Sequence, residues 1–186
     1  KGIDLLNQSA SNGNTIACFY IAFFYHEGKY IERNMKKCIY YYKEASSFNL
    51  KEAKNNLGII YKHGSEDEVQ KNIGYAMMYF DESIRRFDDE ISMYNLSHIY
   101  IYEDGTKEKI EESIELLIKS LNKSFNPSSN LLIIALIKKH NFNYEDILQD
   151  LFDKTDDSNN ILSNICGIIN NKKLMNQQNF EEFFQI

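Results

Sequence analysis

The 186-residue chain contains one proline, eight glycines, three cysteines and no tryptophan. So few prolines and glycines leave few obligatory breaks, and most of the chain is free to be helical. The cysteines, Cys18, Cys38 and Cys166, are odd in number, widely spaced and without a CxxC pair. They suit small buried thiols in a reducing compartment better than a disulfide framework. No apolar run approaches the roughly 20 residues of a membrane helix, so no membrane insertion is expected. The densest run, residues 131–137, has the length of one buried helical segment. Positive charge is also short: 21 Lys and Arg stand against 27 Asp and Glu, for a net charge of -6. That balance argues against nucleic acid as a partner and against adsorption to an anionic membrane.

Motifs of catalysis are missing as well. There is no P-loop, GxGxxG, HExxH or GxSxG, so neither an enzyme nor a cofactor is expected. His26, His63, His98 and His140 fall within or near the ends of one class of helix. A metal site would still need a third ligand and supporting groups, and none is expected. The acidic clusters Glu66-Asp67-Glu68 and Asp88-Asp89-Glu90 fall between helical segments and read as solvated charge.

What the chain does contain is self-similarity. Residues 53–64, AKNNLGIIYKHG, are echoed 36 residues earlier by residues 17–28, ACFYIAFFYHEG. Residues 92–100, SMYNLSHIY, follow 39 residues later, and residues 129–137, SNLLIIALI, another 37 on. A second helix repeats in step. Its small residues are Gly2, Cys38, Ala76 and Ser113, followed at i+3 by Leu5, Tyr41, Tyr79 and Leu116 and at i+7 by Ser9, Ala45, Ser83 and Ser120. Small, large, small at that spacing makes a helical face against which a neighbouring helix can pack closely.

The connectors agree. Gly28, Gly64 and Gly105 suit the left-handed residue that ends a helix. Asn34 and Asn72 suit N-caps, and Asn126 before Pro127 suits another. Gly13, Asn49, Asp88 and Asn126 stand between units and tolerate positive φ. Phe48, Phe87 and Phe125 precede those turns as packing aromatics. Helix pairs this short are marginal alone and gain stability by stacking.

These residues resemble the Sel-1-like repeat family, a relative of the tetratricopeptide repeat. Ala53, Leu57, Gly58, Tyr61 and Gly64 match its A-x-x-x-L-G-x-x-Y-x-x-G block. Ile31, Asn34, Lys37 and Cys38, and again Val69, Asn72, Tyr75 and Ala76, match the block that follows. Ser97 departs from the usual glycine, the third turn is shifted, and Ile137 replaces a tyrosine. The cysteine pair per repeat found in members linked to β-lactam binding is missing.

The resemblance implies an all-α fold: a right-handed α/α superhelical solenoid of about four helix pairs over residues 1–140, opening within a repeat as a piece of a longer protein would. Residues 141–186 are expected to form a degenerate repeat and a C-terminal helical cap, ending in the aromatic stretch Phe180, Phe183, Phe184.

In such a solenoid the first helices line the concave side. Between their buried positions the groove would present Phe19, Phe23 and His26, then Asn55, Ile59 and Lys62. Tyr94, His98 and Ile101 follow, then Leu131, Ala135 and Lys138. So apolar a groove suits a peptide or protein partner. With only Lys62, Lys138 and Lys139 available, a clamp for an acidic tail has little to work with. The expected role is therefore a non-catalytic scaffold or adaptor of cytoplasmic location. The alternative is a repeat arm of a larger protein whose activity lies elsewhere, including a quality-control adaptor in the secretory lumen. Asn7, Asn95 and Asn122 begin glycosylation sequons there, although chance explains them in so Asn-rich a chain.

Overall fold

The computed structural model describes residues 2–65, 68–141, 143–155 and 167. Two compact units divide the chain, Lys1–Ser92 and Met93–Ile186.

The first unit contains α1 (Gly2–Ser11), α2 (Thr15–Glu27), α3 (Met35–Ser47), α4 (Lys51–His63) and α5 (Ile73–Phe87). Each packs on the next along the chain. α6 (Glu90–Ile99) begins in this unit and continues into the second. There it runs on as a π turn, Tyr100–Asp104, followed by α7 (Lys107–Asn122), α8 (Ser128–His140) and α9 (Tyr144–Lys154). The π turn packs on α7, α7 on α8, and α8 on α9. Among the described residues no strand forms beyond one isolated Ser65–Val69 bridge.

The helix ends follow from the residues that stand there. Asn34 Oδ1 accepts from the backbone N–H of Lys37 at 2.9 Å, and Asn72 does the same for Tyr75. Asn14, Thr106 and Asn143 cap three further helices in this way. Each supplies an acceptor to an amide the helix itself leaves unpaired. Gly28, Gly64 and Gly105 all have φ near +70°, as a terminating residue requires.

Three second helices end in one motif. After α1, Asn14 N–H donates to Ser9 O and Gly13 N–H to Ala10 O; after α3, Leu50 donates to Ala45 and Asn49 to Ser46. After α7, Phe125 donates to Ser120 and Ser124 to Leu121. These paired bonds close a Schellman turn around a left-handed residue. In the last case that residue is Ser124, with φ +67°, and not Asn126. Pro127 likewise precedes α8 and does not begin it. The cause is register: α7 ends at Asn122, so the turn falls two residues before Asn126. Of the connector aromatics, Phe125 packs edge-on against Tyr94, while Phe48 is exposed.

Two helices approach closely at Gly58. A Cβ there would stand 2.5 Å from Cε1 of Phe80, a fully buried ring. One turn further on, Tyr61 stacks on Tyr79 with centroids 5.9 Å apart and planes 5° from parallel. The preceding repeat places Tyr25 on Tyr41 in the same way, at 6.0 Å and 10°.

The acidic clusters are not simply solvated charge. Asp89 is completely buried at the start of α6, where its carboxylate accepts from Ser92 N–H at 2.8 Å and Asn55 Nδ2 at 2.9 Å. Lys51 Nζ stands 3.1 Å from its other oxygen. Burial raises this carboxyl, but the hydrogen bonds from Asn55, the Ser92 backbone and Lys51 outweigh it and hold it below the usual carboxylate range. Glu68, on the surface, accepts from Met35 N–H at 2.8 Å and so caps α3. Loop position in the sequence does not register that both acids complete helix N-termini.

The start of the expected C-terminal segment is α9. Ion pairs among Glu111, Lys139, Asp150 and Lys154, with a His140 Nε2–Asp150 hydrogen-bond contact at 2.8 Å, tie it to α7 and α8. The remainder, including Ile161, Cys166 and the Phe180 to Phe184 stretch, lies outside the described residues apart from Gly167.

Candidate functional site

Three of the residues expected in the groove converge in the first unit. Phe23 and His26 on α2 and Ile59 on α4 line a cleft of about 170 Å³, together with Glu27, Tyr42, Asn56 and Ile60. The walls are mixed, with Phe23, Ile59 and Ile60 as the apolar part. Phe23 and Ile59 remain 40% and 37% exposed, although both are large apolar side chains. One polar pair joins the lining: Asn56 Nδ2 donates to the Tyr42 hydroxyl at 2.9 Å. Burial pushes the Tyr42 phenol well above its usual range, so it stays protonated and retains a hydrogen to donate. At the rim His26 Nδ1 lies 3.3 Å from the Glu27 carboxylate. Phe19, expected beside them, is half-buried against Tyr42, with centroids 5.5 Å apart.

Four expected groove residues are placed elsewhere. Asn55 and Lys62 are buried in α4, and Asn55 belongs to the Asp89 network, with Ser92 Oγ donating to its Oδ1. A polar side chain on an inward face finds an internal partner there instead of solvent. Leu131 and Ala135 lie in the second unit's core, because α8 is buried along the whole of residues 131–137. The face of α8 assigned to a groove is therefore internal.

Ile101 is also buried, and here the π turn is the cause. The segment between Ser92 and Gly105 holds two residues more than the equivalent segments ending at Gly28 and Gly64. The wider π turn absorbs part of that excess, with Gly105 N–H donating to Tyr100 O at 2.9 Å. Ile101 turns inward and Tyr102 outward. The Tyr102 ring lies 4.6 Å from that of His98 and 4.8 Å from Lys138 Nζ. Lys138 Nζ also donates to Ile101 O at 3.1 Å. Tyr94 is half-buried against Phe125. The lysines considered for a carboxylate clamp are thus occupied or buried: Lys138 as described, Lys139 by Asp150 at 2.7 Å, and Lys62 in the interior.

The reading from sequence missed Glu27, Tyr42, Asn56 and Tyr102. The longer third segment signalled Tyr102, since two extra residues must displace the face of a helix. Tyr42 and Asn56 left no such signal, because their pairing joins helices through space. Among the described residues, no three of His, Cys, Asp and Glu are grouped to hold a metal ion. No described helix is long and apolar enough to cross a membrane.

Consecutive helix pairs, a glycine at a close interhelical contact and a tyrosine stack repeated from pair to pair define an all-α repeat protein of solenoid class. The Sel1 repeat profile matches residues 15–47, 51–86 and 91–124, more than half of the chain. The chain belongs to the Sel1 repeat family.

Two solved structures show the same fold. One is c5321, a protective antigen present in uropathogenic Escherichia coli strains and displaying an SLR fold, similar at a TM-score of 0.68 and 23% identity. The likeness covers 78% of this chain and 31% of that one, so this chain spans about a third of c5321. The other is a Sel1 repeat protein from Oxalobacter formigenes, with a TM-score of 0.52 and 21% identity, covering 68% of this chain and 93% of that one. A search of curated proteins finds no match. Repeats of this family typically act as protein-interaction scaffolds and are generally non-catalytic.

Proposed function

We propose that this chain is a non-catalytic adaptor that holds a protein or peptide partner in the α2–α4 cleft. The observation that carries the reading is the cleft itself. Two large apolar side chains stay exposed at its mouth, and a neutral Tyr42–Asn56 pair joins its lining. About 170 Å³ is room for one aliphatic or aromatic side chain. Hot spots of peptide recognition are anchors of that kind, seated in a pocket whose few polar groups orient the backbone. Nothing in the lining pairs a nucleophile with a base, so binding is the chemistry the cleft supports.

Selection from a random peptide display library tests this. Peptides sharing one large apolar anchor are expected on the native chain and lost on Phe23→Ser/Ile59→Ser of unchanged helicity. Equal selection by both proteins would overturn the reading.

A further inference from the structure

The net charge of -6 conceals a local reversal. Residues 29–43 hold Lys29, Arg33, Lys36, Lys37 and Lys43 against the single acid Glu32. On α3, Lys36, Tyr40 and Lys43 follow one another at i, i+4 and i+7, and all three are exposed. The opposite face of the helix, Met35, Cys38, Tyr42 and Ala45, is buried. Among the described residues, Lys36 and Lys43 form no ion pair, although Glu44 stands next to Lys43 in sequence and Glu68 caps the helix start.

Tyr40 makes this face more than solvated charge. Its ring is 57% exposed yet held in place, edge-on to Tyr41 at 5.2 Å. Tyr41 in turn stacks on Tyr25, and Lys37 Nζ lies 5.2 Å from the Tyr25 ring. An exposed aromatic fixed from behind loses little entropy when a partner covers it.

We propose that the Lys36–Tyr40–Lys43 face of α3 docks a short acidic segment of a partner protein, with its carboxylates on the two lysines and an apolar side chain on the Tyr40 ring. The segment is short because the patch is short. Seven residues of helix span about 10 Å, the length of three or four extended residues. The same limit excludes a nucleic acid. A long polyanion would overrun the patch onto a chain that is otherwise strongly acidic, and repulsion reaches about 8–10 Å at ordinary salt. The site is separate from the α2–α4 cleft and does not depend on it.

The test uses the full chain and a fluorescein-labelled peptide, Asp-Glu-Phe-Asp-Glu-Phe, followed by anisotropy. Two comparison probes are its Asn/Gln counterpart and a single-stranded oligonucleotide of about 20 nucleotides. The acidic peptide is expected to bind and the neutral one not to. Lys36→Glu/Lys43→Glu should weaken binding roughly tenfold or more, and Tyr40→Ala by about threefold. Both variants alter only exposed side chains and should melt like the native chain, and Phe23→Ser/Ile59→Ser should bind like it. Equal binding by the native chain and the charge-reversal variant would overturn the proposal. So would absence of binding to the acidic peptide, or tighter binding of the oligonucleotide.

Discussion

A Cβ built on Gly58 meets three atoms of the Phe80 ring between 2.5 and 2.8 Å, and neither partner has space to retreat. Gly58→Ala should therefore cost about 2–3 kcal/mol by overpacking, even though alanine is the better helix former. Chemical unfolding measures this, and adding Phe80→Leu should recover part of the loss. The family block already marked Gly58, but Phe80 as the atom it serves is visible only in three dimensions. The third repeat carries Ser97 at the same register, where its hydroxyl donates to Ser113 O at 3.3 Å. Asp89 is the second critical residue. Asp89→Ala removes a buried charge, an N-cap and the acceptor for Asn55, and should cost about 3–5 kcal/mol. Thermal melts would show it, and a loss below about 1 kcal/mol would mean the network is not worth its burial. Its position between two other acids suggested solvent exposure, since nothing local reveals that Asn55 lies opposite.

At the scale of elements, capping residues and spacing were largely sufficient. Asn34 and Asn72 begin their helices, Gly28 and Gly64 end theirs, and Schellman turns close α1, α3 and α7 around a left-handed residue. The exception is where α6 passes into the π turn. Lys138 Nζ donates to Ile101 O within that turn. Lys138→Met keeps the aliphatic stem and removes that donor. It should lower stability by about 1 kcal/mol and speed hydrogen exchange in α8 and the turn, with α2 to α5 unaffected. Unchanged exchange would show the turn to be held by Tyr100, Ile101 and α7 alone.

Across the whole molecule, acidity and not length sets the conditions for stability. Asp89 in the first unit and Glu111 and Asp150 in the second are all held below their ordinary values. In each, hydrogen bonds overcome the effect of burial: from Asn55, the Ser92 backbone and Lys51 at Asp89, from Lys139 and Lys154 at Glu111, and from His140 and Lys139 at Asp150. A depressed carboxyl stabilises the folded state fully above its unfolded value, 3.8 for Asp and 4.5 for Glu, and the gain is lost as pH falls through the lower folded value. Lys139 is raised by Asp150 and Glu111 against its burial, so its contribution fades only in strong alkali. Melting temperature should thus hold level from about pH 6 to 8 and drop steeply below about pH 4. Asp89→Asn combined with Asp150→Asn should lower the plateau and flatten that acid limb. An acid limb of unchanged steepness would assign it to other carboxylates.

Helix content, most helix ends, repeat register and family were legible in the chain because each depends on residues within a turn or two of one another. Phe23, His26 and Ile59 line one cleft for the same reason: they obey the repeat. Asn55, Lys62, Leu131 and Ile101 are buried instead. Whether a helical position faces solvent or an internal partner depends on what the neighbouring helix brings to it, and a shift of a single residue exchanges the two. Asp89 opposite Asn55 and an all-buried α8 are consequences of packing across sequence separations that periodicity does not encode, whereas the π turn that exchanges Ile101 for Tyr102 answers a local excess of two residues.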